Sequence, residues 1–202
     1  MRAILAASLL CLSSAAFGGQ LGMHNAPMHS SNAQAPARPL QQSTDAYRIA
    51  GNAAYDKRDY STAFSDYRIA AAGDDARAQL DLSGMYNQGR GVPQNYMKGF
   101  EWDRLSARQG DVLAQMVLAR DYMQGNSVVP IDSVKAYKWY AVIKAEVRFG
   151  SSAYKLADAM MPALAATMNT ARIAQAQQEA SAWWTVHKKD ANWRPIQPPH
   201  LH

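Results

Sequence analysis

The sequence predicts an all-α fold, an α-solenoid of antiparallel helix pairs with about eight helices. Three observations lead there. Among 202 residues there are 37 Ala against 16 Val plus Ile, and Ala loses no side-chain entropy in a helix whereas β-branched residues favour strands. Apolar residues recur at helical spacing. A block of sequence returns after 36 to 37 residues, which is the mark of stacked repeats. With 48% apolar residues the chain can bury a sizeable core, and a wholly disordered polymer is excluded.

Residues 1–18 read as a signal peptide. Arg2 precedes an apolar run over 3–12, and Ala16 and Gly18 fit the small positions of a signal-peptidase site, placing cleavage near Gly18. The run falls far short of the ~20 residues that span a bilayer, and no later segment reaches that length. Export to the periplasm of a Gram-negative bacterium, or beyond, is the expectation. Cleavage removes the sole cysteine, Cys11, and with it disulfides, thiol nucleophiles and cysteine-based zinc sites. Leu10 stands where lipidation of Cys11 would need a small residue. Residues 19–43, rich in Gln, Asn, Ser, Pro and His, predict a disordered tether. Residues 44–189 form the repeat domain. The tail, 190–202, carries Pro195, Pro198 and Pro199 and is expected to be extended.

Within the repeat domain, 45–55 and 59–73 make an opening helix pair. The first full unit runs from Ala78-Gln79 through Leu82, Met85 and Tyr86 to the turn Gly89-Arg90-Gly91-Val92-Pro93, then Lys98-Gly99-Phe100-Glu101-Trp102 and Gly110-Asp111. The second runs from Ala114-Gln115 through Leu118 and Tyr122 to Gly125, then Val128-Val129-Pro130 and Lys135-Ala136-Tyr137-Lys138-Trp139. Ala78 to Ala114 and Tyr86 to Tyr122 are 36 residues apart, while Trp102 to Trp139 is 37, so one residue is inserted in the second turn. Gly89 supplies a helix C-terminus and Pro93 prevents continuation. Asn95 and Asp132 sit where the following helices need an N-cap. A helix from Tyr154 meets Pro162, which kinks or restarts it. Asn169 caps a last helix that reaches His187, with Ile173, Ala176, Ala180 and Trp184 on one stripe. Four pairs result.

This signature resembles the Sel1-like repeat, a relative of the tetratricopeptide repeat. The chain departs from it at Ser83 and Ala119, where a glycine is usual, at Gly99, where alanine is usual, and at Ser127 in place of the second turn glycine. The opening pair looks tetratricopeptide-like, and 168–183 looks like the closing helix of secreted members of the family. The resemblance implies a protein-binding scaffold with roles such as adaptor, regulator or toxin-neutralising immunity protein.

No catalytic constellation emerges. Ser152 and Lys155 match the Ser-x-x-Lys of penicillin-recognising enzymes, but those also need Ser-Asp-Asn and Lys-Thr-Gly, and neither tripeptide occurs. They leave open an alternative reading, an envelope enzyme or binder acting on peptidoglycan or β-lactam-type substrates. Met23-His24, Met28-His29 and His200-Leu201-His202 offer soft and imidazole donors of the kind copper takes; a polar tether containing His and Met explains them as well, and no metal or cofactor is assigned. His187, Lys188 and Lys189 suit the negative end of the last helix. Asp74, Asp75, Asp111 and Asp121 are scattered over helix starts and surfaces. Trp102, Trp139 and Trp184 fall on apolar stripes, whereas Trp183 and Trp193 are harder to place inside. The formal charge of +5 is spread through the chain, with no run that would track nucleic acid.

In a solenoid of helix pairs the first helix of each unit lines the concave face, where tetratricopeptide-like domains take a protein segment. Counting from Tyr86 and Tyr122, that lining consists of Leu80, Gly84, Asn87 and Gln88 in one unit and Met116, Arg120, Met123 and Gln124 in the next. Such a mixed polar and thioether surface suits another protein as partner.

Overall fold

The Asp and Asn residues ahead of each apolar stripe set the helix starts. Asp75 Oδ1 accepts from the Ala78 amide at 2.9 Å, Asp111 from Ala114 at 3.0 Å, Asn95 from Lys98 at 3.0 Å, Asp132 from Lys135 at 3.1 Å and Asn169 from Arg172 at 2.9 Å. These acceptors satisfy amides that the first helical turn leaves without partners. The computed structural model describes residues 39–188. Among them are eight helices and no strand: α1 (Pro39–Asp56), α2 (Tyr60–Ala72), α3 (Ala76–Gln88), α4 (Tyr96–Arg108), α5 (Val112–Gln124), α6 (Ser133–Glu146), α7 (Ser152–Ala166) and α8 (Thr170–Lys188).

Helix α1 begins at Pro39, so residues 39–43, expected as the end of the tether, are helical. Proline suits a first helical position because its missing amide would have no partner there. The signal peptide, the rest of the tether and the Pro-rich tail lie outside the described residues.

Helices α1 and α2, α3 and α4, and α5 and α6 pack as pairs, and α2 on α3 and α4 on α5 join one pair to the next. The last two helices depart from the expected fourth pair: α7 and α8 each pack chiefly on α6 rather than on one another. A large aromatic wedge explains this. Trp139 of α6 meets Trp183 of α8 edge-on at 6.2 Å, and Trp184 stands perpendicular to Trp183 at 6.1 Å. Trp183, expected to be hard to place inside, is the more buried of that pair, at 8% exposure, while Trp184, expected on the buried stripe, is only half-buried beside it.

The turn after α3 follows the sequence expectation. Gly89 adopts the left-handed conformation at φ 68°. Gly91 has φ 70°, and a Cβ there would lie 2.1 Å from the Tyr60 carbonyl oxygen, so the turn rests directly on the start of α2. After α5 the extra residue is used differently. Asn126 Oδ1 accepts from the amides of Val128 at 2.9 Å and Val129 at 2.8 Å. An Asn-centred turn thus replaces the missing second glycine, and Val129 is buried beneath it. Helix α7 passes through Pro162 without ending and continues to Ala166.

Candidate functional site

The repeat signature builds the same local device in successive units. Tyr86 meets Phe64 of the preceding helix edge-on at 5.4 Å, and Tyr122 meets Phe100 at 5.8 Å. Lys98 lies over the Tyr86 ring at 5.5 Å and Lys135 over Tyr122 at 5.1 Å. The Tyr86 carbonyl accepts from the Asn95 amide at 2.9 Å and the Tyr122 carbonyl from Asp132 at 2.7 Å, closing the two turns. These residues are framework.

Beside the first device lies a cavity of about 420 Å³ between α1 and α3, floored by Tyr67 of α2. Three of the expected face residues, Leu80, Gly84 and Gln88, line it, together with Asn52, Tyr55 and Asp56 of α1 and Asp81 of α3. A Cβ added at Gly84 would meet nothing closer than Gln88 Nε2 at 3.9 Å, so the glycine leaves the cavity open. Tyr67 Oη donates to Asn52 Oδ1 at 2.8 Å. Burial pushes the Asp81 carboxyl up to about 6, against the pull of the Arg48 guanidinium. Tyr67 is raised as well, by burial first and then by the negative charge of Asp81. Arg48 itself bridges α1 to the start of α3 through Asp75 at 2.9 Å.

The other five face residues do not join this cavity. Asn87 turns into the α3–α4 contact: its Nδ2 donates to Ser83 Oγ at 3.2 Å, and Gly99 leaves the space its amide fills. Met116 and Met123 pack on the core around α5 and α6. Arg120 is exposed and pairs with Asp121 at 3.2 Å, and Gln124 is exposed. The α1 contribution escaped sequence reasoning because the register was counted from the two full units, and the turn after α1 is shorter than theirs.

A second feature escaped too. Tyr67, Asp103 and Tyr140 lie 36 and then 37 residues apart, at the same place in α2, α4 and α6. An aspartate therefore occupies a position that its neighbours fill with buried tyrosine. Asp103 is 1% exposed, and among the described residues neither of its oxygens is within good hydrogen-bond geometry of a donor; burial pushes it up to about 7, with the neighbouring Ser83 hydroxyl opposing the rise. Glu146, at the end of α6, likewise has no donor in good geometry among the described residues and is pushed up by burial to about 7, with the Gln115 side chain opposing the rise. The repeat alignment carried the signal for Asp103.

Ser152 and Lys155 are both exposed on the first turn of α7, and the residue whose hydroxyl takes the capping bond there is Ser151, on the Tyr154 amide at 3.2 Å. A serine nucleophile needs an enclosed site with a base in hydrogen-bond reach, and neither residue lines the cavity above. His187 stacks on Trp183 at 3.8 Å and its Nε2 meets the Arg108 carbonyl, tying the end of α8 to the end of α4. His24, His29, His200 and His202 lie outside the described residues. Among the described residues no helix is long and apolar enough to cross a membrane.

Two stretches, 76–111 and 112–141, match the family model of the Sel1 repeat. The chain carries two Sel1 repeats. Its Sel1 repeats coincide with α3–α4 and with α5 and most of α6, so the opening and closing helices flank the units that match. Among solved structures it is similar to a protective antigen present in uropathogenic Escherichia coli strains displaying an SLR fold, at 20% identity and a TM-score of 0.61, over 78% of this chain and 35% of that one. It is also similar to a Sel1 repeat protein from Oxalobacter formigenes, at 20% identity and a TM-score of 0.54, over 73% of this chain and 60% of that one. This chain thus spans about a third and three fifths of those two proteins. At that identity the likeness concerns the fold. No curated protein matches the chain in sequence. The Sel1-repeat fold is generally a protein–protein interaction scaffold and typically non-catalytic.

Proposed function

We propose that this chain is an exported, non-enzymatic scaffold that holds a segment of another protein over the α1–α3 cavity, on the side formed by the first helix of each unit. The observation that carries the reading is the open cavity at Leu80, Gly84 and Gln88, where a glycine keeps space that any larger side chain would fill. Its wall mixes phenol, amide and carboxylate groups with the Met85 thioether, which can both hydrogen-bond a peptide backbone and cover an apolar side chain. The exposed Arg120 and Gln124 extend the same side along the array as a polar rim. Adaptor, regulator and immunity protein are three uses of one such surface.

The export reading rests on residues 1–18, and periplasmic location is part of the proposal. Fractionation of the native host with amino-terminal sequencing of the mature chain checks it: a periplasmic protein beginning near Gly19 is expected, and a cytoplasmic chain beginning at Met1 contradicts it.

Affinity capture tests the binding reading. Wild type is compared with Gly84→Trp, which fills the cavity from a position with room for a side chain, and with Arg120→Glu/Met123→Asp farther along the same side. A protein recovered with wild type and lost with Gly84→Trp, while circular dichroism shows both chains helical, is the expected result. Equal recovery with all three, or recovery of nothing, removes the face.

A further inference from the structure

The divergence of α7 and α8 leaves a second cavity of about 420 Å³ over α6. Part of its wall is rings and methyl groups, Tyr137, Ala141 and Ala145 from α6, Tyr154 from α7, and Ala180 and Trp184 from α8; Lys144, Gln177 and Ser181 add polar groups, and Lys144 lies over the Tyr154 ring. Phe149, 82% exposed, meets Tyr154 edge-on at 4.9 Å and continues the aromatic surface past the mouth. Rings set apart by small residues form the kind of groove that takes a polyproline II segment, which has no internal hydrogen bonds to break and is already ordered before it docks.

The sequence beyond the end of α8 is rich in proline. Residues 193–199 read Trp-Arg-Pro-Ile-Gln-Pro-Pro. Pro195 and Pro198 are three apart, and three residues make one turn of a polyproline II helix, so both prolines fall on one face. We propose that this tail segment folds back and occupies the α6–α8 groove of its own chain.

The lengths agree. From Trp184 to the end of α8 at Lys188 is ~6 Å at the helical rise. The six residues 189–194 extend to ~20 Å at most, enough to reverse direction and bring Pro195 back beside Trp184. Residues 195–199 then cover ~12 Å as polyproline II, against ~10 Å along α8 from Trp184 to Gln177, the farther α8 residue of the groove wall. Tethering over so short a span gives an effective concentration in the ~mM range, so a modest intrinsic affinity fills the groove. Trp193, which no helical stripe accommodates, then has an aromatic surface to rest on.

A fluorescent peptide of residues 189–202 is titrated by anisotropy into the full chain, into Pro195→Ala/Pro198→Ala, and into that double variant with Ala145→Arg or Tyr154→Ala added. The tail of the wild-type chain competes with the peptide, so the double variant binds it at least ~10-fold more tightly than wild type, and both groove substitutions abolish the gain. Equal binding to wild type and double variant, or no binding to either, overturns the proposal. A wild-type dimer that the double variant loses in sedimentation also overturns it, because the tail then occupies a second copy.

Discussion

Gln79 and Gln115 stand 36 residues apart, and each turns its buried side-chain amide back to the carbonyl of the residue eight before it, Ala71 at 3.3 Å and Ala107 at 3.5 Å. The Ala-Gln step that opens each unit therefore fastens the first helix of one pair to the last turn of the pair before. The two bonds are not equal. Gln79 also receives Gln109 Nε2 on its own oxygen at 2.9 Å, whereas Gln115 Oε1 is buried without a partner.

Gln79→Leu breaks two hydrogen bonds and strands a buried carbonyl, and a loss of about 1–3 kcal/mol follows. Gln115→Leu removes one long bond and an unpartnered oxygen, and costs less. Urea midpoints of the two variants measure the difference. A larger loss at Gln115 contradicts this account of the units' junctions.

Asp103 and Glu146 make stability depend on pH. In the unfolded chain these carboxyls titrate near ~3.9 and ~4.3, whereas burial holds both at about 7 in the fold. Between those values the folded chain keeps protons that the unfolded chain has released, so stability is fully present below about pH 4 and falls as pH rises through 7. A rise from about 4 to about 7 is at most ~4 kcal/mol for each group. Thermal unfolding is expected at lower temperature at pH 8 than at pH 5. Asp103→Asn should flatten the dependence and melt above wild type at pH 8; an unchanged pH profile sinks the assignment.

Gly99 and Asn87 are coupled. A Cβ at Gly99 would come within 2.1 Å of Asn87 Oδ1, so Gly99→Ala displaces Asn87 and its bond to Ser83. A loss of about 1 kcal/mol is expected from the single change, while Gly99→Ala/Asn87→Ala recovers it, since alanine is favoured over glycine in a helix by roughly 0.5–1 kcal/mol. A double-mutant cycle by chemical denaturation measures the coupling, and additive effects contradict the contact.

Pro162 lies inside α7 and is exposed. It removes one backbone hydrogen bond to the Asp158 carbonyl and crowds that turn. Pro162→Ala is expected to raise the unfolding free energy by about 1–3 kcal/mol, read from the denaturation midpoint. An unchanged or lower midpoint means neighbouring groups have already absorbed the strain.

Eight helices, their capping residues and the Gly89 turn were legible because each has a local cause: Asn95, Asp132 and Asn169 need only their own following turn to act. The closing helices were not, because the stripe of α8 reads equally well against α7 or α6, and only the stacking of Trp139 and Trp183 decides. The expected face was legible in part. Counting from Tyr86 reached Leu80, Gly84 and Gln88, but the same count sent Asn87 outward, while the space at Gly99 draws it inward. Asn52, Tyr55 and Asp56 enter the cavity from a unit whose short turn breaks the period, so no spacing pointed to them.

In-cell photocrosslinking tests the central claim most directly. Benzoylphenylalanine is placed in turn at Asp56, at Gln88 and at Glu101, the first two exposed at the cavity and the last exposed on α4 away from it. Irradiation should yield one discrete heavier species from Asp56 and Gln88 and none from Glu101. The same species from all three positions, or none from Asp56 and Gln88, contradicts a scaffold that holds its partner over the α1–α3 cavity.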